Sequence, residues 1–165
     1  MVVLVGFMGA GKTVVGRGLA RHMEVSFVDL DEEIERRAGR SIAEIFAAVG
    51  EPAFRDLERS ALEAVLHGRH GVVSAGGGIV DDAVNRTRLQ EETVVFLDVS
   101  LDEALARIGD PETRPMLRSV DAAELLARRR PLYASVADAT VDTDGRTVDE
   151  IVEETLAKID FEVNR

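Results

Sequence analysis

Gly6, Gly11, Lys12 and Thr13 stand at the spacing Gly-x-x-x-x-Gly-Lys-Thr, with Phe7, Met8, Gly9 and Ala10 between the two fixed glycines. Such a loop lets backbone amides close around a phosphate, and a helix beginning at its end adds a favourable dipole. Lys12 has the reach and charge for the β and γ phosphates, and Thr13 offers a hydroxyl to Mg2+. The apolar run Val2–Val5 directly precedes the loop and a helical pattern directly follows it, which is the context that the chemistry needs. The bland alternative is a chance glycine-rich turn. Sequence and context together favour nucleotide binding, while the loop alone does not separate GTPases, motor ATPases and kinases.

Four further groups of residues could carry chemistry. Asp29 and Asp31 alternate at the end of a short apolar run, where a parallel sheet would place both carboxylates at the edge that carries the phosphate loop. An acidic helix N-terminus reads the same way, because Asp31, Glu32 and Glu33 all suit its dipole. Arg55 precedes Glu58 by three residues, so the two share a helix face and the glutamate can hold the guanidinium; a surface ion pair would look identical. Gly76, Gly77 and Gly78 follow an apolar run and permit close backbone approach to a ligand, or make a tight turn. The polar stretch 109–121 holds two prolines and Arg114 and Arg118 between helical patterns, and is read as a mobile lid.

The elements that must position these residues follow from alternating patterns. Short apolar runs predict strands at Val2–Val5, Val25–Val28, Gly71–Ala75, Thr93–Val99 and Ala139–Asp142. Longer amphipathic stretches predict helices at Gly11–His22, Leu30–Ala38, Ile42–Val49, Pro52–His67, Asp82–Gln90, Leu101–Ile108, Ala122–Ala137 and Thr147–Ile159. Ser41 and Glu44 have capping-box spacing, and Pro52 suits a first helical position. The alternation implies an α/β protein with a five-stranded parallel sheet and helices on both faces. No repeat, low-complexity tract or linker divides residues 1–165, so one domain is expected.

Composition narrows the functions. The chain has 165 residues, 45% hydrophobic and 31% charged, and a net charge of −11, which disfavours a sequence-independent grip on nucleic acid or anionic membrane. It has no cysteine, and His22, His67 and His70 lack a ligand pattern, so a thiolate metal site is excluded and most metal-cluster enzymes with it. No apolar run approaches a membrane span and no signal peptide is evident; a cytoplasmic location is expected.

Five stretches, in order, resemble the shikimate kinase family, within the nucleoside-monophosphate-kinase-like branch of P-loop proteins. They are the phosphate loop, Asp29-Leu-Asp31, Phe54-Arg55-Asp-Leu-Glu58, Ser74-Ala-Gly-Gly-Gly78, and Arg114-Pro-Met-Leu117 with Arg129-Arg-Pro-Leu-Tyr133, and the similarity runs through essentially the whole chain. The resemblance implies a three-layer P-loop kinase fold with a lid at about 109–121 and a substrate-binding subregion at about 30–60. It implies ATP and shikimate as substrates, with phosphorylation of the 3-hydroxyl, Mg2+ as cofactor and a monomer as the working unit. Lys12, Asp31 and Arg114 are then the catalytic residues, Arg114 being the lid arginine that reaches the transferring phosphoryl group. ATP is expected on Gly9, Ala10, Gly11, Lys12, Thr13, Val14, Arg107, Arg114 and Arg146. Mg2+ is expected on Thr13 and, through water, on Asp29. Shikimate is expected on Asp31, Arg55, Gly76, Gly77, Gly78 and Arg129, with an apolar wall of Ile42, Phe46, Phe54, Pro115 and Met116, of which Phe46 and Phe54 read equally well as core.

Three departures accompany the resemblance. Val14 replaces the usual hydroxyl residue after Lys-Thr, which predicts weaker nucleotide affinity without loss of activity. The stretch between Arg114 and Arg129 is shorter than usual, with consequences for closure or product release. Arg130 puts a second arginine beside the expected carboxylate ligand. Two other functions fit the same sequence: a kinase for another hydroxy acid such as gluconate, and a non-catalytic ATP-binding module.

Overall fold

The computed structural model describes residues 1–68, 71–108 and 121–163. Five strands, β1 (Val2–Val5), β2 (Phe27–Asp29), β3 (Val72–Ser74), β4 (Thr93–Asp98) and β5 (Ala139–Asp142), form one parallel sheet in the order β2-β3-β1-β4-β5. Helices α1 (Lys12–His22), α2 (Leu30–Ala38), α3 (Ile42–His67), α4 (Ala83–Leu89), α5 (Leu101–Ile108), α6 (Ala122–Val136) and α7 (Val148–Val163) cover its faces, as the alternation of patterns implies. β1 lies at the centre and is buried along its whole length, because Val2, Val3, Leu4 and Val5 can pack on both faces without placing a polar group out of water.

From β1 the chain first builds β2 and β3 on one side and then β4 and β5 on the other. The strand order therefore reverses at β1, and the C-terminal ends of β1 and β3 border the crevice where ligands bind in such sheets. The phosphate loop leaves the end of β1, the three glycines follow β3, and Asp29 ends β2.

The second strand differs from expectation. It begins at Phe27, two residues later than the pattern implies, because Glu24 takes a left-handed backbone (φ 55°) and leaves Val25 40% exposed in the connection. Asp29 thereby becomes both the last strand residue and the N-cap of α2, accepting the amides of Asp31 at 3.0 Å and Glu32 at 3.4 Å. A single 3-10 turn at Ile79–Asp81, which the sequence pattern does not suggest, separates the three glycines from α4.

The predicted helices Ile42–Val49 and Pro52–His67 are the two halves of α3, broken at Gly50. Ser41 caps the first half through the expected capping box: its hydroxyl accepts the Glu44 amide at 3.2 Å and its own amide donates to the Glu44 carboxylate at 2.8 Å. Gly50 has φ 77° and ψ 177°, a conformation essentially reserved for glycine. The bend turns the first half, with Ile42 and Phe46, to face Phe54, Arg55 and Glu58 on the second across one cavity.

A β-carbon at Gly50 would meet nothing closer than the Pro52 ring at 3.8 Å. Gly50→Ala therefore isolates backbone strain from collision, and it should lower unfolding stability by about 1–3 kcal/mol, read by urea denaturation. An unchanged midpoint would mean that the bend relaxes freely.

Candidate active site

The phosphate loop is shaped by backbone that side chains could not follow. Gly9 and Gly11 have φ of 79° and 89°, and a β-carbon on Gly9 would lie 2.6 Å from the Ala104 carbonyl oxygen. Lys12 Nζ donates to the carbonyl oxygens of Gly6 at 2.9 Å and Phe7 at 3.0 Å, bracing the loop it belongs to. Thr13 Oγ1 donates to Asp29 Oδ2 at 2.7 Å, joining the start of α1 to the end of β2. A hydroxyl and a carboxylate in contact, both hard oxygen donors, fit Mg2+, which takes one or two protein oxygens and completes its shell with phosphate and water.

Arg107 flanks this loop, and Arg146 lies in the segment after β5 that Arg107 also reaches. Arg107 donates to the Gly9 carbonyl at 3.3 Å, to Thr143 Oγ1 at 3.1 Å and to the Thr143 carbonyl at 2.6 Å, so α5 ties the phosphate loop to the segment after β5. Arg146 is held by the Asp142 carbonyl, the Glu150 carbonyl and Glu154. Val14 points outward and is 52% exposed on the first turn of α1, a place where a hydroxyl would be solvated or bonded to a ligand.

On the other side of the crevice is a cavity of about 530 Å³. Its polar lining includes Asp31, Arg55, Glu58, Arg129 and the glycines 76–78, and its apolar wall includes Met8, Ile42, Phe46 and Phe54. The two phenylalanine rings pack with centroids 4.6 Å apart; Phe54 is buried, so it serves both core and wall. Gly76 and Gly78 are glycines because of their neighbours. A β-carbon on Gly76 would fall 2.8 Å from Asp31 Oδ1 and 3.1 Å from Glu58 Oε1, and one on Gly78 would collide with the Arg55 guanidinium. Gly77 is under no such constraint, and its carbonyl accepts the Tyr133 hydroxyl.

Each cavity arginine is held by carboxylates. Arg55 donates to Glu58 at 2.9 Å and to Glu51 at 3.0 Å, and Arg129 donates to Asp81 at 2.6 Å from Nη2. Glu58 is 1% exposed; burial pushes its carboxyl above the ordinary range and the nearby Asp31 pushes the same way, while the Arg55 charge opposes both. Burial likewise raises the Tyr133 phenol, which keeps it a hydrogen-bond donor. Arg130 points elsewhere, pairing with Asp98, so of the two adjacent arginines Arg129 is the one at the cavity.

The structure therefore brings Asp31, Arg55, Gly76, Gly77, Gly78 and Arg129 to one cavity, and Lys12, Thr13 and Asp29 to the neighbouring loop. Arg114, Pro115 and Met116, with the expected lid, lie outside the described residues. Met8, Glu51, Asp81 and the Tyr133 hydroxyl belong to the site or its supports and were not anticipated. The i,i+4 spacings Glu51–Arg55 and Arg129–Tyr133 could have pointed to two of them; Asp81 carries no sequence signal. Among the described residues, no group of three or more acidic or histidine side chains is arranged to hold a metal by itself.

The family model for shikimate kinase matches residues 8–160. The shikimate kinase of Rhodococcus jostii (strain RHA1) is 42% identical over 161 residues, covering 95% of this chain and 96% of that protein. The solved structure of shikimate kinase from Acinetobacter baumannii in complex with shikimate superposes with a TM-score of 0.90 at 38% identity, covering 96% of this chain and 91% of that one. Shikimate kinase from Aquifex aeolicus vf5 gives 0.87 at 33% identity, with 98% and 97% covered. A gluconokinase from Sinorhizobium meliloti 1021 gives 0.56 at 20% identity, a likeness of fold alone.

Glu58 supplies a prediction with a definite sign. Its raised pKa means that the folded protein holds this proton to higher pH than the unfolded chain does, so between the unfolded value of 4.5 and the higher folded one the group costs stability as pH rises. Relative to Glu58→Gln, which keeps an acceptor for Arg55, the native protein should lose urea stability as pH is raised from 4.5 toward neutrality. A pH-independent difference would show that Arg55 fully compensates the burial.

Proposed function

The chain belongs to the shikimate kinase family, and from that premise we propose that it transfers the γ-phosphoryl group of ATP to the 3-hydroxyl of shikimate, giving shikimate 3-phosphate and ADP. The observation that carries this reading is the adjacency of a phosphate loop to a cavity in which Asp31 and two carboxylate-held arginines, Arg55 and Arg129, line the wall. Planar guanidinium groups suit an acceptor that carries a carboxylate, because each can present two parallel donors.

In this mechanism the amides of Gly9–Val14 and the Lys12 ammonium take the phosphates of ATP. Lys12 must exchange its bonds with the Gly6 and Phe7 carbonyls for phosphate oxygens, which places positive charge where negative charge spreads during transfer. Thr13 and Asp29 would hold Mg2+, which when bound would neutralise phosphate charge. Arg55 and Arg129 fix the shikimate carboxylate, glycines 76–78 approach the ring through their backbone, and Asp31 accepts the hydrogen bond of the hydroxyl that attacks and takes its proton. Arg114 adds charge to the transferring group, and Arg107 and Arg146 border the nucleotide base. Most of the rate comes from alignment and charge neutralisation, with water kept out so that it does not compete as acceptor. The protein works as a monomer in the cytoplasm. Among the described residues no helix is long and apolar enough to cross a membrane.

The test is ADP release from ATP and Mg2+ with shikimate, with gluconate or with no acceptor. Release that requires shikimate is expected; release with gluconate alone, or none despite ATP binding, would sink the acceptor assignment. With shikimate, Arg55→Lys should raise the shikimate KM about tenfold or more while leaving the ATP KM nearly unchanged, since one bidentate contact is lost. Arg114→Ala should instead lower kcat far more than it raises the shikimate KM. Equal turnover in that variant would remove Arg114 from transition-state stabilisation.

A further inference from the structure

Arg129 has a side chain only 1% exposed, yet it borders the acceptor cavity. A buried guanidinium needs a counter-charge, and a guanidinium that must receive a carboxylate also needs a fixed plane. One residue outside the cavity meets both needs. Asp81, on the 3-10 turn three residues after Gly78, takes Arg129 Nε through Oδ1 at 3.3 Å and Oδ2 at 3.1 Å, and Nη2 through Oδ2 at 2.6 Å. Its own side chain is 24% exposed and lines a separate surface depression with Glu51, Pro52, Asp82, Arg128 and Leu132, which Arg55 separates from the acceptor cavity. Asp81 thus grips Arg129 along its Nε edge from outside the cavity, and the guanidinium, which also meets the Tyr133 hydroxyl, still has donors left for a second carboxylate.

Resting on the acceptor assignment above, we propose that Asp81 is a positioning residue for acceptor binding, which holds the Arg129 guanidinium in the plane that meets the substrate carboxylate. Without it, Arg129 still feels the Glu58 carboxylate, the partner of Arg55. Arg129 would then turn toward Glu58, and both carboxylate-binding arginines would lose their orientation together. Arg128 does not account for Asp81, since it lies 3.7 Å from the same oxygen on a side chain 60% exposed, where water and salt weaken the pair. Tyr133, four residues after Arg129 on α6, ties the same loop through the Gly77 carbonyl, so α6 grips the glycine loop and its 3-10 turn at two places.

The experiment is a double-mutant cycle on the full chain, reading the KM for shikimate, the KM for ATP and kcat. Asp81→Asn should raise the shikimate KM about tenfold with ATP KM and kcat within about twofold, and in an Arg129→Ala background the same change should add less than about twofold. A purely structural role would lower activity alike for both substrates and would persist without Arg129. Asp82→Asn is the control, because Asp82 caps α4 and pairs with Arg59 without touching Arg129, and its shikimate KM should stay unchanged. Should Asp81→Asn fail to fold, Asp81→Glu keeps the charge but displaces the carboxylate by one methylene, and should still raise the shikimate KM selectively, by about threefold. An unchanged or lowered shikimate KM, or an equal factor in both backgrounds, overturns the proposal while leaving the activity standing. A native protein with no shikimate-dependent ADP release overturns both.

Discussion

The site depends on a close approach of backbone to backbone at the end of β1. Gly6 leaves the central strand so near its neighbour β4 that a β-carbon there would lie 2.5 Å from the Leu97 carbonyl oxygen, and Gly9 passes as closely over Ala104. A fully buried strand can deliver the chain to this place only if the residues that follow have no side chains to accommodate. The loop then closes on itself through Lys12 and is tied to β2 through Thr13 and Asp29. Those bonds lie where strand order reverses, so the loop backbone and the Thr13–Asp29 pair are tied to the sheet rather than to a surface loop.

The cavity is organised by charge. In a chain of net charge −11, Arg55 and Arg129 stand in its wall, and each of these guanidiniums has a carboxylate of its own. The internal carboxylates weaken the pull on an incoming anion, but they remove the cost of a buried unpaired cation and set the direction in which each fork points. Direction then matters more than net charge, since Asp31 in the same wall disfavours an anion placed away from the arginines.

Much of this was legible in the sequence, for reasons that differ by residue. The phosphate loop is local: motif, preceding strand and following helix lie within about twenty residues, so the sequence holds the whole argument. The break in α3 was legible because Gly50 and Pro52 punctuate a helical pattern, and the Ser41 cap because its partner is three residues away. The register of β2 was not, since it turns on Glu24 adopting a conformation uncommon for its type. Asp29 and Asp31 looked like either site residues or a helix N-terminus, and Asp29 proves to be the cap while also meeting Thr13. Asp81 was out of reach because its partner is 48 positions away and its own neighbourhood reads as an ordinary polar turn.

The two sides of the crevice are held by different helices, and connectivity shows where they meet. Arg107, near the end of α5, is bonded to the phosphate loop and to Thr143, while Arg129 and Tyr133 on α6 are bonded to Asp81 and Gly77, beside the cavity. The two helices are consecutive in the chain and pack on each other, so a shift of either loop reaches the helix that holds the other.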